Sequence, residues 1–178
     1  QGDEALLAGM TAMKKADHAT AAAAFDQAVA NAPANGKTWY YRAVNKMVMG
    51  DNEGALRDLD QLLVLEPRDV HAMLRRAEVQ RLRGEEEKAN SDLYRVLGLH
   101  GNGPAAEHAL LELGRLAMER NDLPSALDHY DQLVNIAPYN AMAWCNRGVV
   151  RKALMDDERA LLDLEKAIDL DPTTDQAY

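Results

Sequence analysis

The chain has 178 residues, of which 47% are hydrophobic but only 5% aromatic, and its formal net charge at pH 7 is −9. Abundant alanine with few aromatic residues favours closely packed helices over a β-sandwich, and the negative charge argues against nucleic-acid binding, which needs a concentrated basic surface. No apolar run reaches the roughly 18 residues that a membrane span needs, and the single cysteine, Cys145, excludes an internal disulfide and a cysteine-based zinc site.

Three kinds of residue recur along the chain at fixed distances. A glycine or alanine is followed twelve residues later by an alanine, and all but the first of these small residues stand ten residues after a proline. The small residues are Gly9, Ala43, Ala77, Gly114 and Gly148; the alanines are Ala21, Ala55, Ala89, Ala126 and Ala160; and the prolines, each with the residue six places on, are Pro33 with Trp39, Pro67 with Met73, Pro104 with Leu110, Pro138 with Trp144, and Pro172 with Tyr178. The same step separates successive small residues, except that the step from Ala77 to Gly114 is longer by three, and this regularity indicates an internal repeat.

Each repeat contains two predicted helices joined by a tight turn. In the second repeat, apolar residues recur at three- and four-residue spacing in TWYYRAVNKMVMGD, which ends in the turn signal Gly50-Asp51, and again in EGALRDLDQLLVLEP. In the fourth repeat the turn signal is Asn121-Asp122. Proline cannot continue a helix, so each proline is predicted to end a second helix.

The small residues are predicted to lie where the two helices of a pair cross. Packed helices about 8–10 Å apart need small side chains at the crossing, and a bulky residue four places after each alanine would fill the space beside it. These bulky residues are Phe25, Leu59, Leu93, Tyr130 and Leu164.

The segment ALLELGRLAMERNDLPSALDHYDQLVNIAP resembles the consensus of the tetratricopeptide repeat family almost place for place. The resemblance implies an all-α fold, a right-handed α-solenoid of five helix-turn-helix repeats in a single domain, 1–178. The expected repeats are 2–35, 36–69, 70–106, 107–140 and 141–174, and 175–178 would start a further helix.

The sequence departs from the family pattern in two ways. Arginine replaces the family's leucine beside the small residue at Arg42, Arg76 and Arg147, where we expect the guanidinium to extend to the surface. Three extra residues around LGLHGNGP predict a longer connection, which either alters the twist of the solenoid or forms a small binding loop.

The two ends of the chain suggest a part of something longer. Tyr178 occupies the aromatic position of a sixth first helix, so either the native protein continues or this end docks on another copy. The start at Gln1 indicates processing or a cut from a longer chain. The sequence is compatible with a cytoplasmic protein and with an exported or periplasmic mature domain.

The sequence shows no catalytic or metal-binding pattern. The five histidines lack the spacing of a zinc helix, and Ser91 and Ser125 lie among acidic neighbours of second helices. No glycine-rich loop follows a strand, and Cys145 suits a half-buried packing role better than a reactive one. We therefore expect no enzyme activity, no metal and no cofactor.

In the family, first helices line a concave groove where partner segments lie. Carried onto this chain, the resemblance places there Tyr40, Tyr41, Val44, Met47, Arg75, Glu78, Arg81, His108, Leu111, Arg115, Met118, Met142, Asn146 and Val149, together with Lys37, Val48, His71, Leu74, Glu112, Cys145 and Lys152. The alternative is that Tyr40 and Met47 only pack against neighbouring helices. The strongest candidates for partner contact are Tyr41, Arg75, Arg115 and Asn146.

The expected function is a non-catalytic scaffold that binds a peptide segment or helix of another protein. Residues 68–95 carry seven basic and six acidic side chains, whereas 105–178 carry seven and fourteen, so a partner with some acidic residues would be favoured at the centre unless these charges only face solvent. A clamp for the carboxylate tails of chaperones is not expected, because only Arg75 matches its pattern. The alternatives are a structural module that self-associates through its repeat ends, and the repeat part of a larger protein.

Overall fold

The computed structural model describes residues 2–172, and within them it contains ten α-helices. They are α1 (Gly2–Lys14), α2 (His18–Asn31), α3 (Gly36–Val48), α4 (Asn52–Leu65), α5 (Val70–Leu82), α6 (Glu86–Leu99), α7 (Pro104–Glu119), α8 (Leu123–Ile136), α9 (Ala141–Ala153) and α10 (Asp157–Leu170). They form two compact units, divided between Asp92 and Leu93. The all-α repeat fold is confirmed, while the repeat boundaries stay a prediction. The expected sixth first helix at 175–178, and the self-association through Tyr178, lie outside the described residues.

The three-residue turn inside each helix pair has one recurring backbone geometry. Its middle residue has a positive φ: these residues are Ala16, Gly50, Gly84, Asn121 and Met155. The next backbone N–H donates back to the end of the first helix, as Asp51 does to the carbonyl of Lys46 at 2.9 Å. The Asp51 carboxylate then accepts from the N–H of Gly54 at 2.8 Å and caps the second helix. The predicted turn signals therefore mark the turns.

The glycines among the small residues lie at the helix crossings, as predicted. A β-carbon added to Gly9 would lie within 2.9 Å of three ring atoms of Phe25, and one added to Gly114 would meet the Tyr130 ring in the same way. Where the small residue is alanine, at Ala43 and Ala77, the bulky residue of the same repeat is leucine. Gly9 and Gly114 thus leave room for an aromatic ring, whereas Gly148 faces Leu164.

The three extra residues of the third repeat lengthen a helix and not a connection. The segment between α6 and α7 has four residues, like those after α2, α4 and α8, whereas α7 has 16 residues where α3, α5 and α9 have 13. The expectation of a longer connection or a small binding loop is therefore wrong. Proline suits the first position of a helix, because the N–H that it lacks would have no partner within the helix there. Pro104 begins α7, so the repeat boundary predicted at 106/107 falls inside this helix.

The spacing from proline to tryptophan has a hydrogen-bonding cause. The indole N–H of Trp39 donates to the carbonyl of Pro33 at 2.8 Å, and that of Trp144 donates to the carbonyl of Pro138 at 2.7 Å. The guanidinium carbon of Arg42 lies 4.9 Å from the centre of the Trp39 ring, which is a cation–π distance. Each tryptophan therefore ties the connection before a first helix to that helix.

The three arginines that replace the family's leucine do not extend to the surface. Arg76 forms two hydrogen bonds of 2.7 Å with the buried Asp92 and a third, also 2.7 Å, with Asp60. These bonds, led by those to Asp92, raise the pKa of Arg76. In each of these arginine–aspartate clusters one aspartate stands 16 residues before the arginine and one 16 after. The clusters are Asp26, Arg42 and Asp58; Asp60, Arg76 and Asp92; and Asp131, Arg147 and Asp163.

The fourth repeat replaces such a cluster with Leu97, Leu113 and His129. Leu113 and His129 are buried and Leu97 packs against the core of the second unit. The Nε2 of His129 lies 3.4 Å from the Tyr94 hydroxyl, and its Nδ1 has no hydrogen-bond partner among the described residues. Burial lowers the pKa of His129, against the opposing influence of the Asp128 and Asp122 carboxylates.

We expect His129 to make the stability of the chain depend on pH. Because its pKa is lower in the folded chain, the unfolded state binds more protons near pH 6.5, and the free energy of unfolding should fall as the pH decreases through that value. His129→Leu, which continues the leucines at 97 and 113, should remove this contribution. Urea unfolding followed by circular dichroism at pH 7.5, 6.5 and 5.5 measures it, with the exposed His100→Gln as control. Equal pH dependence in the wild type and His129→Leu would contradict the assignment.

Candidate functional site

In the unit that ends at Asp92, the first helix of each repeat, α1, α3 or α5, contributes to one face with an open pocket. α3 contacts both α1 and α5, and a pocket of about 700 Å³ opens along the N-terminal halves of α1 and α3 and the start of α5. Its lining consists of Asp3, Leu6, Leu7, Met10, Asn35, Gly36, Lys37, Tyr40, Tyr41, Glu66, Asp69 and His71. The pocket therefore lies on the side of the helices where the family resemblance places the groove.

The apolar part of the pocket is fixed from behind by the core. The ring of Tyr41 packs edge-on against that of Tyr40, with centroids 5.5 Å apart, and lies 6.4 Å from the buried Phe25 ring. Leu6 is buried, whereas 64% of Leu7 is exposed. The result is a rigid aromatic wall with an accessible aliphatic side chain beside it, which suits the burial of an apolar group from a partner.

Charged side chains surround the apolar part of the pocket. Three are carboxylates, Asp3, Glu66 and Asp69, and one is an ammonium, Lys37. The Asp69 carboxylate accepts from the N–H of Ala72 at 2.8 Å and caps α5. The Glu66 carboxylate lies against Gly36, where any β-carbon would displace it. The backbone thus fixes the Asp69 carboxylate, while the Glu66 carboxylate lies close to Gly36.

The predicted groove residues of the first unit have different surroundings. Tyr40 and Tyr41 line the pocket, as do Lys37 and His71. Arg75 is half-buried and donates to Glu78 at 2.9 Å, and a hydrogen bond with Tyr40 is the largest cause of its raised pKa. The remaining predicted side chains of this unit, Val44, Met47, Glu78 and Arg81, are half-buried outside the pocket lining. Leu74 is only 7% exposed, so its expected place on the groove surface is wrong.

The predicted groove residues of the second unit divide into exposed and packed side chains. His108, Arg115, Met142 and Val149 are exposed, and Asn146 is half-buried. Leu111 and Met118 pack against the core of this unit. Arg115 donates to Glu112 at 2.9 Å. As sites of partner contact these residues stay a prediction.

The sequence reasoning underestimated the first repeat. Asp3, Leu6 and Leu7 stand one repeat length before Lys37, Tyr40 and Tyr41, so the same register would have placed them on the same face. Glu66 and Asp69 belong to the connection between α4 and α5, which a pattern drawn from first helices does not include. Their part in the pocket is visible only in the folded chain.

Two kinds of functional feature are absent from the described residues. Residues 2–172 contain no group of three or more histidine, cysteine or acidic side chains placed to hold a metal ion. None of the helices in this range is both long and apolar enough to cross a bilayer.

Comparison with known proteins identifies related sequences. A family model described as tetratricopeptide repeat matches residues 6–44, 45–104, 92–141 and 111–174. Tetratricopeptide repeat protein 36 of Danio rerio is 43% identical over 61 residues, which cover 34% of this chain and 33% of that protein. The chain spans a third or less of the curated relatives that it matches.

Solved structures share the fold at low sequence identity. MamA from Desulfovibrio magneticus RS-1 aligns with a TM-score of 0.83 and 15% identity, covering 98% of this chain and 97% of that one. YrrB is a tetratricopeptide repeat protein reported to have an unusual peptide-binding site. It aligns with a TM-score of 0.70 and 21% identity, and the alignment covers 92% of this chain and 83% of the YrrB chain. At these identities the likeness concerns the fold alone.

Proposed function

Because this chain belongs to the tetratricopeptide repeat family, we propose that it is a protein-interaction scaffold that binds a peptide segment or helix of another protein on the face of α1, α3 and α5. The observation that carries the proposal is the open pocket on this face, with its aromatic wall of Tyr40 and Tyr41 and the accessible Leu7. Proteins of this family are typically non-catalytic scaffolds, and the role proposed here needs no chemistry beyond binding. The peptide-binding site reported for YrrB supports the same type of role.

The energetics favour an apolar side chain of the partner as the main anchor. Covering an exposed aliphatic side chain and inserting another beside it stabilises a complex by about 1.5–3 kcal/mol per fully buried side chain. The tyrosines add contact area at small entropic cost, because their rings are already packed against the core. The proposed site therefore recognises a partner through one or two large apolar side chains.

A charge placed at Leu7 should abolish most of this binding. We would select random twelve-residue peptides by phage display on the immobilised chain and measure the enriched peptides by fluorescence anisotropy. Leu7→Glu should weaken their binding about tenfold or more, because it replaces an apolar contact with a charge that must lose its hydration.

The matched control is Val64→Glu on α4, where 72% of the valine is exposed. This variant makes the same chemical change away from the pocket and should leave the affinities unchanged. Equal losses in both variants, or no loss in Leu7→Glu, would exclude the pocket as the binding site.

A further inference from the structure

We infer that the segment bound at this pocket carries a lysine or arginine close to its apolar anchor; the inference rests on the proposed function and specifies its ligand. The pocket lining presents three carboxylates, Asp3, Glu66 and Asp69, against one ammonium, Lys37. A cationic side chain beside the apolar anchor would therefore meet a surface of opposite charge.

The carboxylates are placed to act on a ligand and not only on the fold. Asp3 and Glu66 are exposed. The Glu66 carboxylate lies close to the backbone of α3 at Gly36, and the Asp69 carboxylate is held by its hydrogen bond from the N–H of Ala72. A charge held in position loses less conformational entropy when it pairs than a mobile one does.

Two of the basic residues that suggested an acidic partner are paired with carboxylates of the chain. The guanidinium of Arg75 is hydrogen-bonded to the Glu78 carboxylate at 2.9 Å, and Arg76 is held between Asp60 and Asp92. These arginines count as positive charges in the sequence. In the folded chain, however, they are already paired with carboxylates when a ligand approaches. The paired arginines and the carboxylates of the pocket together argue against an acidic segment here.

The positions of the lining residues also indicate where the cationic and the apolar side chains of the ligand would lie. Asp3 lies in the first turn of α1 and Asp69 immediately before α5, whereas Leu6, Met10 and the tyrosines lie further along their helices. The cationic side chain is therefore expected at the end of the pocket where the first helices begin, with the apolar side chain deeper along α1 and α3. Asp3 and Met10 are seven residues apart on α1, about 10 Å along the helix axis, so the charge would lie a few residues at most from the anchor.

The composition of the selected peptides tests this inference. Peptides that the wild-type chain enriches, and that Leu7→Glu loses, should contain lysine or arginine within about four residues of a large apolar residue, since a longer spacing exceeds the pocket at about 3.3 Å per residue. Asp3→Lys combined with Glu66→Lys should weaken their binding about tenfold at low salt. The difference should shrink at 0.5 M salt, where exposed charges are screened over a few ångströms.

The charge control is Glu158→Lys combined with Glu165→Lys on α10, which changes the net charge equally at exposed sites. It should alter the affinity less than twofold. Enriched peptides that depend on Leu7 but are acidic or uncharged would overturn this inference and leave the proposed function standing. Failure to enrich any peptide that depends on Leu7 would overturn both.

Discussion

Replacing Arg76 with leucine should lower the free energy of unfolding by about 3–5 kcal/mol, the cost of removing one partner from a buried ion pair. Arg76 makes two hydrogen bonds of 2.7 Å with the Asp92 carboxylate, whose side chain is only 3% exposed, and one with Asp60. Without the guanidinium, the Asp92 carboxylate loses its bidentate partner while it stays away from water. Chemical denaturation followed by circular dichroism measures the loss.

A double variant distinguishes two contributions to the lost stability: the carboxylate left without its partner, and the lost packing of the aliphatic part of the arginine. Arg76→Leu combined with Asp92→Leu should recover most of the lost stability, because paired hydrophobic residues can replace a buried ion pair at little cost. In the fourth repeat, Leu113 already stands in the place of the arginine. As a control, Arg75→Leu removes a half-exposed pair with Glu78 and should cost about 1 kcal/mol or less. A loss for Arg76→Leu no larger than the control's would contradict the structural role of the cluster.

Enlarging Gly114 should destabilise the chain by about 1–3 kcal/mol as alanine, and by more as valine. A β-carbon at this position would overlap the ring of Tyr130, which is buried and cannot move aside without disturbing the core of the second unit. Thermal and urea unfolding of Gly114→Ala and Gly114→Val would show the graded loss.

The same chain supplies the control and the compensating change. Gly98 lies in α6 with nothing within 4 Å of an added β-carbon, so Gly98→Ala should stabilise by about 0.5–1 kcal/mol through helix propensity alone. Gly114→Ala with Tyr130→Leu recreates the pairing of Ala43 with Leu59 and should be more stable than Gly114→Ala. If Gly98→Ala destabilised the chain as much as Gly114→Ala does, the overlap with the Tyr130 ring would not be the reason that position 114 requires glycine.

The sequence was sufficient to predict the helices and their crossings, because both depend on local spacing. The fixed interval from each small residue to its alanine predicted which positions meet, and the ring of Phe25 lies where that register requires it. The family resemblance also predicted Tyr40 and Tyr41 on the face of the first helices, and both line the pocket.

The missed features depend on partners that a pattern of apolar and small residues does not contain. The expectation that Arg76 reaches the surface did not take its partners into account. Asp60 and Asp92 stand 16 residues before and after it, on different helices, and only the fold brings them to the guanidinium. The insertion in the third repeat contains glycines and a proline, which are typical of loops. Pro104 is, however, also suited to the first position of a helix. Glu66 joins the pocket only because the chain folds back past Gly36.

The arginine–aspartate clusters also bear on how such a chain can gain or lose repeats. Arg42 bonds to Asp26 on α2 and to Asp58 on α4, and Arg76 bonds in the same way to Asp60 and Asp92. Removal of the segment 36–69 would therefore bring Arg76 to the sequence distance from Asp26 that Arg42 has now. A genetic deletion or duplication of this 34-residue repeat preserves the charge pairings at its new junction, whereas one that differs by a few residues leaves an arginine opposite the wrong side chain.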